Sequence, residues 1–93
     1  MVVAVLEIAL SIPHSTSLKD KRRVLKSVKD RVRSRFNVSI AEIGDQDLWQ
    51  SARLGIAVVS GDSAYANGVI SKVQDLFNSL RDAIVTECIL EWR

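Results

Sequence analysis

Lys19, Arg22, Lys26, Lys29 and Arg33 follow one another at spacings of 3, 4, 3 and 4, which places five cations in one stripe along an α-helix. At about 1.5 Å of rise per residue the stripe is roughly 21 Å long, enough to face several successive backbone phosphates. The surrounding run is denser still. Leu18 to Phe36 holds nine Lys and Arg against Asp20 and Asp30, a formal +7, while the other 74 residues carry four basic and nine acidic groups, a formal −5. The overall +2 therefore conceals a polarised molecule. Such polarisation suits a partner rich in phosphate or carboxylate. The competing reading is a solvated helix face, but such a face normally carries acids four residues from its bases, and few stand here. Asp30 is placed at the stripe's edge near Arg23, and Asp20 near the helix start, where it complements the dipole. Lys21 and Arg35 are placed at the margins of the apolar arc and are expected to snorkel rather than bind.

The remaining reactive residue types form no catalytic constellation, so no enzyme, cofactor or metal is expected. Glu42, Asp45 and Asp47 offer oxygen ligands of the kind magnesium and calcium use, but their spacing matches no EF-hand and they read as turn acids. Glu7 reads as a half-exposed strand acid. His14 precedes the basic run within reach of a phosphate docked there, yet no acid or nucleophile is placed beside it. Cys88 has no cysteine partner and reads as a small core residue sharing a strand face with Ile84, Leu90 and Trp92. Trp49 is expected to pack over a sheet edge or to form a contact with a partner. The glycines have neither P-loop nor dinucleotide-binding spacing.

The elements that must position these groups are legible in the pattern. Met1 to Ile12, closed by Pro13, reads as a largely buried strand; it has no basic leader region and is too short to span a bilayer. His14 to Ser17 is a loop, with Ser17 and Asp20 as a variant capping box. The first helix starts near Leu18. At about 100° per residue, Leu18, Val24, Leu25, Val28, Val32 and Phe36 share an arc of about 120°. Asn37, tolerant of the left-handed conformation, is expected to end that helix. Val38 to Ile43 and Leu54 to Val59 are the next strands, separated by the turn residues Gly44 to Asp47. A second amphipathic helix follows from Ser63 to Leu80, where Gly68 would mark close packing against the sheet. Ile84 to Trp92 alternates as a last strand.

The resulting β-α-β-β-α-β order predicts an α+β, ferredoxin-like sandwich: a four-stranded antiparallel sheet, strand order 4-1-3-2, with two helices on one face. Residues 1–93 make one domain, because a chain of this size supports a single core. The other sheet face, with Val3, Val5, Ala9, Ala57 and Val59, is aliphatic and uncovered, interrupted by Glu7, Arg53 and Glu87. It lacks the aromatic platform of an RNA-recognition motif. A second copy of the domain, seated on this face or on an edge strand, would cover apolar surface and predicts a homodimer; the alternative is that those charges make the face only modestly apolar, in which case the monomer suffices.

The run from Ser17 to Ser60 resembles the DUF503, or YlxP-like, family of small bacterial proteins. The likeness is densest at Ser17-Leu18-Lys19 with Lys21-Arg22, at Phe36-Asn37-Val38-Ser39 with Ala41-Glu42, and at Asp47, Trp49 and Gln50. It extends more weakly over the rest of the chain. The resemblance implies a ferredoxin-like fold, in agreement with the pattern, and carries no established activity. The family's genes often neighbour those of transcription and translation factors, including a small ribosome-assembly factor, which implies an RNA or ribosome connection. The expectation is a cytoplasmic, non-enzymatic protein without a membrane segment that associates with structured RNA or the ribosome through its basic helix. The alternative is a homo-oligomeric module that binds an acidic protein surface.

Overall fold

Alternating apolar side chains from Val2 onward form the first strand, and the same period-two pattern of burial recurs in the third. The structure, a computed structural model, describes residues 1–93 as β1 (Val2–Ser11), α1 (Leu18–Arg35), β2 (Ser39–Gly44), β3 (Ser51–Ser60), α2 (Ser63–Asn78) and β4 (Ile84–Trp92). All strand pairs are antiparallel and the sheet order is β2-β3-β1-β4, the order expected. The two long strands pair along their full length, from Val2 with Ser60 to Ser11 with Ser51.

One face of this pair is fully buried: Ala4, Leu6, Ile8 and Leu10 of β1 beside Ala52, Leu54, Ile56 and Val58 of β3. Leu25, Val28 and Val32 of α1 and Ala66, Ile70, Val73, Leu76 and Phe77 of α2 close over it, so both helices lie on the same side. Each buried Leu or Ile contributes about 1.5–3 kcal/mol, and aliphatic side chains dominate because the chain has only five aromatic residues.

Local chemistry sets the helix ends. Ser17 Oγ accepts from the Asp20 amide at 3.1 Å, and the Asp20 carboxylate reaches back to the amide (3.1 Å) and hydroxyl (2.7 Å) of Thr16. The capping box is thus present with its return contact displaced by one residue. Asp62 caps α2 by accepting from the Tyr65 amide at 3.1 Å.

Several expectations are corrected. Helix α1 ends at Arg35 with Phe36 as an extended cap, so Asn37 adopts no left-handed turn; the left-handed residue is Asp45, at φ 59° after β2. The regular alternation expected in β4 is broken by a bulge opposite Ala9 and Leu10, which pairs Val85 with Leu10 and Ile84 with Ser11. Ile84 therefore lies on the face opposite Cys88. Cys88 is exposed, not a core residue, and Leu90 and Trp92 remain 37% and 45% exposed, because β4 is an edge strand beyond the full cover of α2. Gly68 is exposed with no atom within 4 Å of where a Cβ would stand, so it marks no close packing.

Candidate functional site

The five stripe residues all lie on α1, along the flank beside β2, the outer strand of the sheet. Lys19, Arg22, Lys26 and Arg33 are exposed and Lys29 is half-buried. The structure divides them by what each side chain touches. Lys19, Arg22 and Lys29 make no ion pair or hydrogen bond within the chain. Lys26 Nζ donates to Asp30 Oδ2 at 2.9 Å, an i,i+4 pair. Asp30, at the stripe's edge, therefore partners a member of the stripe and not Arg23. That contact and the Lys26 charge, with Arg33 and Lys29 adding to it, hold the Asp30 carboxyl below its usual 3.8.

Arg33 has a structural task as well as a charge. Its Nη2 donates to the Ile40 carbonyl at 3.1 Å, and Gln46 Nε2 reaches the Glu42 carbonyl at 3.5 Å. Both carbonyls point away from β3, so these side chains occupy the free edge of β2 and blunt it against further strand pairing.

Lys21 departs furthest from expectation. It does not snorkel: it is 2% exposed, and its Nζ lies 3.0 Å from Glu42 Oε2 and donates to the Asp45 carbonyl. Its helical angle falls at the centre of the apolar arc, between Leu25 and Val28, and that angle was the available signal in the sequence. Glu42 is accordingly the half-buried partner of a lysine rather than a turn acid, and the left-handed Asp45 presents its carbonyl to the same ammonium. Arg35, at the C-terminal end of α1, is exposed.

The other singled-out residues do not join the stripe. His14 is exposed in the loop between β1 and α1. Trp49 is 54% exposed beside the equally open Leu48, so it projects from the β2–β3 loop. Its neighbour Gln50 fastens that loop, donating from Nε2 to the carbonyls of Ser15 (3.0 Å) and Pro13 (3.3 Å). Glu7 is half-buried on the open sheet face, where Arg53 and Glu87 pair at 3.2 Å. No helix is long and apolar enough to cross a membrane.

The arrangement presents a run of positive charge to solvent along one flank of α1. Its unpaired cations stand on a rigid helix, with ends fixed by the Ser17 cap and by the Arg33 anchor.

Residues 3–89 match the sequence profile of the family described as Protein of unknown function (DUF503). A relative, Uncharacterized protein YlxP of Bacillus subtilis (strain 168), is 42% identical over 76 residues, spanning 82% of this chain and 83% of that one. A solved structure, the NMR structure of a de novo designed protein with ferredoxin fold, superposes with a TM-score of 0.56 over 100% of this chain and 84% of that one, at 16% identity. That likeness supports the fold alone. The chain belongs to the DUF503 family.

Proposed function

We propose that this member of the DUF503 family is a cytoplasmic, non-enzymatic protein that docks on structured RNA, including that of the ribosome, through the outer flank of α1. One observation carries the reading. Lys19, Arg22 and Lys29 project from that flank with no carboxylate partner, whereas helix cations that serve only solubility are normally paired. Lys26 adds a fourth charge when a phosphate competes with Asp30. The sheet carries no base-stacking aromatic on its open face, so recognition runs through phosphate and shape.

The test is a binding titration of the full chain against an RNA hairpin, single-stranded RNA, duplex DNA and polyglutamate over a range of salt concentrations. Tightest binding to the hairpin is expected, with log K falling against log salt by about three to four phosphate contacts' worth. Tighter binding of polyglutamate would transfer the surface to an acidic protein partner. No binding at low salt would remove the phosphate-docking reading.

A further inference from the structure

The two edges of the sheet are treated differently. At β2, Arg33 and Gln46 occupy the outward carbonyls. At β4 nothing does. Val3 and Arg93 exchange both backbone bonds, at 2.9 and 2.7 Å, so the alternate residues Trp92, Leu90 and Cys88 aim their amides and carbonyls away from β1. The side-chain hydrogen bonds around this strand leave those outward groups free. Beyond the bulge this edge runs regularly from Glu87 to Arg93, has no proline or lysine, and exposes Ile89, Leu90 and Trp92. Those are the features that natural edges normally avoid when they stay unpaired.

We infer that β4 is a dimerisation edge that pairs antiparallel with β4 of a second copy of this chain, making one continuous eight-stranded sheet. Charge complementarity points to a second copy of this chain and to one register. With Leu90 on the two-fold axis, it faces its own counterpart, Cys88 faces Trp92 of the second copy, and Glu87 faces Arg93 twice. Moving the axis one residue, to Ile89, would instead set Glu87 against Glu91, two like charges directly opposed. The Leu90 register forms about six backbone hydrogen bonds through the outward groups and covers Leu90 and Trp92 on the helix side. The basic flank of α1 lies beside the opposite edge, so the pairing leaves it free and is independent of the RNA reading.

Sedimentation of the full chain is expected to show a concentration-dependent species of twice the 10.3 kDa monomer mass. Leu90→Lys should shift it to monomer, and Val5→Glu on the open sheet face should leave it dimeric. Glu87→Arg should weaken the dimer at least tenfold and Glu87→Arg with Arg93→Glu should restore it. In a Cys88→Ser background, Leu90→Cys should form a disulfide-linked dimer on mild oxidation, since opposed residues of a hydrogen-bonded pair lie within disulfide reach. This variant needs only transient pairing, so it reads the register even if Leu90→Lys fails to fold. A strict monomer with no cross-link at high micromolar concentration would overturn the inference. A dimer dissolved by Val5→Glu but not by Leu90→Lys would do so too, by moving the interface to the open face.

Discussion

The Lys21 ammonium lies 3.0 Å from the Glu42 carboxylate, and this buried contact fastens the N-terminal half of α1 to the edge strand β2. Lys21 also donates to the Asp45 carbonyl, so one side chain closes the helix, the strand and the turn that follows it. The basic stripe is held in place beside β2 by this contact at one end and by Arg33 at the other.

Lys21→Ala is expected to destabilise the protein by about 2–3 kcal/mol, the cost of leaving a half-buried carboxylate without its counter-charge and a carbonyl without its donor. The double change Lys21→Met with Glu42→Gln should recover at least half of that loss, because removing both charges removes the uncompensated one. Urea unfolding of the three proteins measures it, and equal stability of single and double variants would show that the ion pair is not the cause.

Arg22→Glu with Lys29→Glu is expected to leave the unfolding midpoint nearly unchanged, because neither side chain bonds to the rest of the molecule. Hairpin affinity should fall and the salt dependence should become shallower by about two contacts. Lys26→Glu alone should have a smaller effect on the salt slope than Lys29→Glu, since Lys26 already shares its charge with Asp30. Lys72→Glu on α2 serves as the control away from the stripe.

Asp20 should titrate below the usual 3.8, chiefly because the Thr16 hydroxyl and then the Thr16 amide donate to its ionised form, with the Arg23 charge assisting. A carboxyl whose folded value is depressed stabilises the fold above its unfolded value and loses that contribution as pH falls through the folded one. Asp20→Asn should therefore be less stable than wild type at neutral pH, and the gap should shrink below about pH 3.8. Carbon-detected NMR titration gives the midpoint and thermal unfolding at several pH values gives the gap.

Gly68→Ala is expected to stabilise the chain by about 0.5–1 kcal/mol, since the residue is exposed inside α2 and an added methyl meets nothing. A higher melting temperature checks it; a lower one would reveal a packing role that the open space around Gly68 gives no sign of.

The element order, the Ser17 cap of the first helix and the buried face of the sheet were legible in the sequence, because each depends on near neighbours or on a single period. Ser17 caps the helix that follows within three residues, and the two-residue alternation of β1 marks Leu6 and Ile8 as core without knowledge of their partners. The stripe was legible for the same reason, being a matter of spacing on one helix. What the basic residues of α1 do was decided by the tertiary structure. Lys21 and Arg33 are both basic residues of one run, yet one is buried against Glu42 and the other bonds to Ile40, because α1 happens to lie along β2. The same holds for β4, whose alternation resembles that of β1. The central strands β1 and β3 lie under α2 while the edge strand β4 is covered by it only in part, and a bulge of one residue reverses which side chains face inward. Position in the sheet is a relation between distant segments, so the exposure of Cys88, Leu90 and Trp92 follows from strand order and register rather than from any local pattern.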